Sequence, residues 1–426
     1  MLHLAPTVTY MSTMTQTRHP GHRQHSGRRP APRARLISGR LALALMSSFG
    51  ALTSFYLLLS VTPMYAVSAG AGSAEAGLVT GTLMLATVAA EFASARLMRR
   101  YGYRPVFAAG ALLLGGPALA LVGPHSVVLI VVVSVARGLG FGLSTVVVDA
   151  LIATALPPER RGEGIGLAGV VASVPAIVAL PSGVWLAENA GYAVVITITA
   201  ASALAPLAAI PWLAGPAGRQ READPGTVPP AGLLASLRSG GQLRPWLVFA
   251  AMTVPAGVVA AFLPLTAGVS SGTAALGLFV QAVAATAAQW WAGRHGDRHG
   301  HAGLLVPGLL TAAAGMGVLI WVAAPAALIA GMCLFGIGFG IGENATFALM
   351  IGRAPVSGYG TASALWNLAY DAGYGAGPAV FGVFVAYTGY PAAFALTGTL
   401  MLAALVPAMR DRAARAPAGG SQAERS

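Results

Sequence analysis

Apolar residues occur along this chain in long blocks that are separated by short polar segments. Each block is long enough for a helix to cross about 30 Å of hydrocarbon at about 1.5 Å per residue. The pattern predicts an all-α integral membrane protein with twelve transmembrane helices in two six-helix bundles. The predicted spans are residues 41–66, 76–96, 104–122, 126–152, 164–186, 192–213, 245–267, 273–292, 303–322, 326–351, 360–386 and 391–409.

The composition agrees with lipid as the solvent of most of the chain. Hydrophobic residues make up 56% of the 426 residues and charged residues 9%, against about a quarter charged in soluble domains. Residues 1–37 are polar without any hydrophobic period, which is typical of a disordered tail. A polar linker, 214–244, separates the predicted bundles 38–213 and 245–409, and a second tail covers 410–426.

The basic residues divide the loops into two sets. All 25 are arginine, and all except Arg137 fall in the tails, the linker and alternate loops. Because cytoplasmic loops carry an excess of basic residues, both termini are predicted to be cytoplasmic. The absence of lysine from the sequence excludes a Walker A nucleotide site and a pyridoxal Schiff base. The single cysteine, Cys333, excludes an internal disulfide and a multi-cysteine metal site.

Two sequence patterns recur at one spacing. Residues 293–300 read GRHGDRHG, and a shift of 198 residues leads back to 95–102, which read ARLMRRYG. The same shift relates RGLGFG at 137–142 to FGIGFG at 335–340. Two independent matches at one spacing predict an internal duplication, and transporters built from two parallel repeats provide a precedent.

Both patterns resemble motifs of the major facilitator superfamily of membrane transporters. GRHGDRHG fills every fixed position of the cytoplasmic loop signature G-x-x-x-D-R-x-G, and RGLGFG is similar to the arginine motif of the superfamily's fourth helix. The resemblance implies a secondary transporter whose two bundles rock about a central site, driven by proton binding. It also implies that the loop latches the cytoplasmic side shut, through Gly293, Asp297, Arg298 and Gly300.

The glycines of this loop are expected to allow a tight reversal of the chain. Asp297 is expected to cap the start of the fifth predicted span, near 160–162, because a carboxylate is stabilised at a helix N-terminus. The alternative to a latch is a solvated turn whose positive charge only follows the general excess of basic residues in cytoplasmic loops. His295, His299 and His301 lie close to Asp297 in sequence, but no metal site is expected in so short a turn.

The first-half copy of the loop has Arg99 where the signature has aspartate. A cation cannot cap the positive end of a helix. This half of the latch, with Arg100 and Gly102, is therefore expected to be absent or to be rebuilt through Asp149. We expect an asymmetric gate in which the second-half loop dominates.

Apart from Arg96 and Arg104, which stand at the ends of their spans and are assigned to the loop, five charged residues fall inside predicted spans, where charges are rare and usually functional. The resemblance associates Arg137 with proton coupling, and a structural ion pair is the alternative. Glu343 and Asp371 lie deep in their spans, where an acid can hold and release a proton near neutral pH. Asp371 is preferred as the proton-linked carboxylate. Glu91 and Asp149 are interpreted as interfacial salt-bridge residues.

The eleventh predicted span carries a polar stripe. Its members follow i, i+4, i+7 and i+11, and they are Ser363, Asn367, Tyr370 and Tyr374, with Trp366 on the neighbouring face. Polar groups in a lipid-embedded helix should face a cavity or another helix. The stripe is interpreted as a wall of the substrate cavity, with interhelical hydrogen bonding as the alternative.

The direction of transport depends on the fifth predicted span. Exporters of the superfamily carry G-P-x-x-G-G there, and residues 179–184 read ALPSGV, which keeps the proline and one glycine. The leading hypothesis is a proton-coupled exporter of small, largely apolar molecules. The alternatives are a proton-coupled importer of a sugar or organic acid, and a scaffold or sensor without transport.

The remaining expectations concern what the chain binds and where it acts. The expected partners are a small-molecule substrate, protons and the lipid bilayer, with neither nucleic acid nor a cofactor. The chain is expected to be a monomeric, multi-pass protein of the plasma membrane without enzymatic activity.

Overall fold

The computed structural model describes residues 38–123, 126–155, 161–212, 237, 241–355 and 358–413, and their regular secondary structure is helical. The predicted tail 1–37, most of the predicted linker 214–244 and the chain after Ala413 lie outside the described residues. The α-helices are α1 Gly39–Leu59, α2 Val61–Ser68, α3 Ser73–Tyr101, α4 Tyr103–Gly115, α5 Val127–Ala155, α6 Arg161–Asn189, α7 Tyr192–Leu204, α8 Leu243–Phe262, α9 Ser271–His299, α10 Leu305–Val318, α11 Pro325–Arg353, α12 Tyr359–Leu402 and α13 Leu405–Ala413.

Ten helical segments of the described chain are long and apolar enough to cross a membrane. The sixth predicted span corresponds to a shorter apolar helix, Tyr192–Ala208. The last two predicted spans fall in one segment, Tyr359–Arg412, which Gly389 interrupts with a φ of 74° that is not helical. An all-helical membrane protein is therefore confirmed, and the count of twelve crossings stays a prediction.

The predicted duplication is present in the helices. A shift of 198 residues carries both ends of α3 onto the ends of α9, and both ends of α5 onto the ends of α11. Gly102 and Gly300, which the same shift relates, end α3 and α9 with φ values of 85° and 90°. Glycine adopts this left-handed conformation without steric penalty. In both halves, therefore, a glycine with positive φ ends the helix.

The glycine motifs bring helices into backbone contact at equivalent places in the two halves. A methyl group placed on Gly142 of α5 would lie 2.5 Å from the carbonyl oxygen of Thr87 in α3. At the related position, a methyl group on Gly340 would collide with the carbonyl of Ala285 in α9. Small residues permit close packing of helices in lipid, which explains why the sequence repeats glycine here.

Two helix pairs make the most extensive contacts between the halves. Helix α3 of the first half packs along α12, and α6 packs along α9. We call the end of the bundle that carries Arg99, Arg100, Arg298 and Arg353 the basic end. At the opposite end, the hydroxyl of Ser73 donates a hydrogen bond of 2.8 Å to the carbonyl oxygen of Gly382, across the two halves.

Candidate functional site

Ionisable side chains of α1, α11 and α12, which belong to both halves, lie within electrostatic range of one another. The phenol of Tyr56 on α1 lies near Tyr374, Glu343 and Asp371 of the second half and interacts electrostatically with each. Tyr370 lies near the same groups. We call these five residues the central cluster. Glu343 is 9% exposed and Asp371 2% exposed, so both carboxyl groups are shielded from bulk solvent.

The side chains of the polar stripe predicted on the eleventh span differ in how deeply they are buried. Tyr370 and Tyr374 are buried, and their rings stack with centroids 5.4 Å apart and planes 7° apart. Ser363 and Asn367 are half-buried. The two tyrosines face the junction of the halves, because both lie near Tyr56.

Trp366 belongs to the packing of the second half. Its ring stacks on Phe249 of α8, with centroids 4.3 Å apart, and its Nε1–H donates a hydrogen bond of 3.2 Å to Thr346 of α11. The side chain is 2% exposed. The indole therefore ties α12 to α8 and α11, which corresponds to the interhelical alternative for this residue.

Arg137 is buried inside the first half and is held by backbone carbonyl groups. Its two terminal nitrogens donate hydrogen bonds of 3.0 Å to Leu114 and 2.9 Å to Ser54. Within the described ranges no carboxylate forms an ion pair with it, so the structural ion pair, which was the alternative to proton coupling, is not observed there. Backbone carbonyls are recognised partners for charges within membranes, and these two connect α5 to α4 and α1.

Glu91 was interpreted from the sequence as an interfacial salt-bridge residue, and two further acids lie near it. Its carboxyl group lies near the carboxyl groups of Asp371 and Asp149. Glu91 and Asp371 are far apart in sequence and belong to different halves. They lie near each other only because α3 and α12 are neighbours, which no spacing in the sequence indicated.

The sequence matches the family model described as Major Facilitator Superfamily over residues 44–373 and 246–425. The chain belongs to the major facilitator superfamily. No curated protein matches it in the sequence search. The resemblance on which the fold prediction rested is therefore confirmed at the level of the superfamily.

Solved structures show the same fold at low sequence identity. The nucleoside transporter NupG aligns with a TM-score of 0.68 at 12% identity, covering 88% of this chain and 99% of NupG. The peptide transporter POT aligns at 0.69 and 17% identity, covering 88% and 93%. The inward-open xylose transporter XylE from E. coli aligns at 0.67 and 16% identity, covering 86% and 95%. These structural relatives of this superfamily member are transporters.

The superfamily loop signature is largely helical in this member, which corrects the expected turn. Helix α9 continues through Gly293 and Gly296 to His299, and the chain reverses only at Gly300. A glycine costs about 1 kcal/mol in a helix, which packing can offset. Here Gly293 lies against the amide of Asn344, and Gly296 against the ring of His301.

The latch partners predicted for Asp297 lie outside the described side chains. Asp297 is half-exposed, and its carboxylate is 3.9 Å from Nε2 of His301. Arg298 is exposed. Helix α9 does pack along α6, which is the helix whose start Asp297 was expected to cap. The latch itself stays a prediction.

In the first-half copy, Arg100 lies over the ring of Tyr101, with its guanidinium carbon 5.2 Å from the ring centroid. Gly102 supplies the turn. Asp149, which was expected to rebuild this half of the latch, lies near Glu91. The rebuilding of this half of the latch through Asp149 stays a prediction.

The histidines of the loop form ring stacks. His295 stacks between Trp291 and His299, with centroids 4.8 Å and 4.4 Å apart. Among the residues that the structure describes, no three His, Cys, Asp or Glu side chains are grouped as a metal site requires.

An ion pair at the basic end was missed from the sequence. Arg353 at the end of α11 makes two hydrogen bonds, of 2.8 Å and 2.5 Å, to the carboxylate of Asp411 and a third to the carbonyl of Gly241. Asp411 was assigned to the tail 410–426, yet it is 1% exposed and lies on α13. The helical chain therefore continues past the last apolar block, and the boundary of the predicted tail stays a prediction.

Proposed function

We propose that this superfamily member is a proton-coupled exporter of small, largely apolar compounds, with twelve membrane crossings and both termini in the cytoplasm. The central cluster is the observation that carries the proposal. It combines three tyrosine rings with two buried carboxyl groups at the junction of the halves. Such a junction is where transporters of this construction bind their substrates.

The chemistry of the cluster suits an apolar ligand and a proton. Aromatic rings offer large apolar faces, and tyrosine adds one hydroxyl that orients a ligand. A carboxyl group in a dry site exchanges its negative charge for a proton, because burial disfavours the charged form. Asp371 and Glu343 are the proposed proton carriers, and Ser363, Asn367, Tyr370 and Tyr374 are the proposed cavity wall.

The other residues proposed to be functional control how the two halves move relative to each other. Arg137 links α5 to the carbonyls of α1 and α4, so it is proposed to transmit movement of α1, which carries Tyr56. The second-half loop, with Gly293, Asp297, Arg298 and Gly300, is proposed to close the basic end. Export is favoured by the proline and glycine of 179–184, where Gly183 lets α6 contact the backbone of Leu57 in α1.

A second candidate function is proton-coupled uptake of a polar solute. One solved structure with the same fold is a D-xylose–proton symporter, with a TM-score of 0.69 at 17% identity over 87% of this chain and 97% of that one. The half-buried amide of Asn367 and the tyrosine hydroxyls could supply the hydrogen bonds that a sugar requires.

Purified protein in liposomes with an internal pH dye tests both candidates. An outward-directed load of an apolar compound is expected to drive protons in the opposite direction for an exporter. A pentose gradient that carries protons in its own direction would instead establish uptake. Absence of proton flux with either class would contradict both.

Substitutions of the two carboxyl groups test whether the central cluster carries the proton flux. Asp371→Asn and Glu343→Gln remove the acid with little change of shape, so proton flux is expected to fall at least tenfold while ligand binding persists. Glu75→Gln is the matched control, because Glu75 is an exposed acid at the opposite end of α3. Unchanged flux in both cluster variants would exclude these carboxyl groups as the carriers.

A further inference from the structure

One side of α9 stays exposed along the whole helix and changes character toward the basic end. Its first part is apolar and consists of Leu276, Phe279, Val283 and Ala287. Trp290 and Trp291 follow, 66% and 48% exposed, and then Arg294 and Arg298, which are both exposed. Apart from Trp291, these positions are three or four residues apart, so they lie on one side of the helix. We call this side the lipid face of α9.

The length of α9 indicates how deep each of these residues lies in the bilayer. The helix begins at Ser271, and at about 1.5 Å per residue it has risen about 30 Å at Trp291, which is the thickness of the hydrocarbon core. The two tryptophans therefore lie at the boundary between hydrocarbon and headgroups, where indole rings are favoured. Arg294 lies about one helical turn farther out, at the depth of the lipid phosphates.

The guanidinium of Arg294 is oriented to bind a phosphate group. Its central carbon lies 3.4 Å from the centroid of the Trp290 ring, so its flat face rests on the indole. The N–H groups point outward in the plane of the guanidinium, so the stack leaves them able to bind two oxygens of one phosphate. Among the residues that the structure describes, neither Arg294 nor Arg298 forms an ion pair. The carboxylate of the nearby Asp297 lies 3.9 Å from Nε2 of His301.

We propose that the lipid face of α9 binds one anionic phospholipid from the leaflet at the basic end. The guanidinium of Arg294 binds the phosphate, Arg298 adds positive charge one turn farther out, and the acyl chains lie against Val283 and Ala287. The last turns of α9 carry two arginines and one carboxylate. An anionic headgroup is therefore favoured over a zwitterionic one, which brings a cation together with its phosphate. This site goes beyond the proposed function, since it requires neither a substrate nor a direction of transport.

The first half provides an internal comparison. The shift of 198 residues relates Trp290 to Phe92 and Arg294 to Arg96, and Phe92 and Arg96 are exposed as well. The aromatic residue is smaller here, and within the described chain Arg96 is stacked on no ring. Both halves thus carry an arginine at a related depth, and the stack distinguishes Arg294 from Arg96. Because the stack fixes the side chain before a lipid arrives, binding loses less conformational entropy at Arg294.

Native mass spectrometry of the full chain in detergent tests this site. The protein is incubated with equal amounts of phosphatidylglycerol and phosphatidylcholine that have identical acyl chains, and the lipids that remain bound are counted. The parent chain is expected to retain one phosphatidylglycerol molecule. Its preference over phosphatidylcholine should be at least about fivefold, which is the effect of one arginine near an anionic surface.

Three substitutions remove the proposed contact in different ways. Arg294→Gln removes the charge, Arg294→Lys keeps the charge but lacks the planar fork, and Trp290→Leu removes the ring beneath the guanidinium. Each variant is expected to lose the preference for phosphatidylglycerol, and both positions are exposed, so the fold should be unchanged. Arg96→Gln is the matched control, because it removes the related exposed arginine of the first half and should keep the preference.

Several results would overturn the proposal. Equal retention of the two lipids by the parent chain, or retention of neither, would exclude an anionic lipid site. An unchanged preference in Arg294→Lys would show that positive charge alone attracts the lipid. An equal loss in Arg96→Gln would show that the arginines act together without a defined site. Displacement of the lipid by glycerol phosphate, which has no acyl chains, would assign the site to a soluble phosphate instead.

Discussion

Close contact between α5 and α3 can be tested at Gly142. Substitution to alanine would place a methyl group 2.5 Å from the carbonyl oxygen of Thr87, with Cβ of Ala90 at 3.0 Å and the backbone nitrogen of Glu91 at 3.3 Å. Non-bonded heavy atoms are at their optimum near about 3.5 Å or more. The obstacle is backbone, so no side chain can rotate away, and the helices must part by about 1 Å.

The energy of this change follows from two opposed effects. Overfilling a well-packed interface costs typically about 1–3 kcal/mol, whereas alanine is about 1 kcal/mol better than glycine within a helix. A control isolates the first effect. A methyl group on Gly352, near the end of the repeat-related helix α11, meets nothing within 4 Å. The difference in unfolding free energy between Gly142→Ala and Gly352→Ala is thus expected to be about 1–3 kcal/mol.

Thermal unfolding of the purified protein in detergent measures this difference. Gly352→Ala should melt at or slightly above the temperature of the parent chain, and Gly142→Ala at least about 2 °C below the control. Gly340→Ala, the repeat-related change, should fall in the same direction because its methyl group would collide with Ala285. Equal melting temperatures for Gly142→Ala and Gly352→Ala would refute backbone contact at this crossing.

Two further predictions concern the basic end. Asp411→Ala leaves the charge of Arg353 largely buried without its partner, so a loss of about 3–5 kcal/mol is expected, and Arg353→Ala in the same chain should recover part of it in thermal unfolding. A double variant no more stable than Asp411→Ala would argue against the pair. Gly300→Ala forces a side chain into φ 90° and should lower the free energy of unfolding by about 1–2 kcal/mol. Gly303→Ala, where a methyl group meets nothing within 4 Å, should leave it unchanged. Equal effects of the two substitutions would contradict a strained turn at Gly300.

Much of the fold was predictable because lipid imposes a simple rule. Every backbone polar group must be satisfied within its own segment, so apolar blocks of span length become helices whatever their detailed order. The repeated motifs were equally informative, since α9 and α11 repeat α3 and α5 from end to end. The extent of α9 was less predictable, because its last turns, at 293–299, are polar and rich in glycine and lie beyond the apolar block.

The candidate site was predictable only in part. Glu343, Asp371, Tyr370 and Tyr374 were recognised because polar groups are costly in hydrocarbon and therefore stand out. Their companion from the first half, Tyr56, was missed, since one tyrosine in an apolar block gives no signal of its own.

The sequence by itself determined that lipid surrounds most of the chain, that the chain is duplicated and to which superfamily it belongs. Composition, span length and repeated motifs are properties of local segments, so they can be read without the fold. Only the tertiary structure decided which polar groups face one another. Glu91 and Asp371 lie near each other, Arg137 is held by carbonyls of α1 and α4, and Arg353 is paired with Asp411. Each contact joins residues that are distant in sequence, and it depends on the register at which two helices pack, which a single sequence does not reveal.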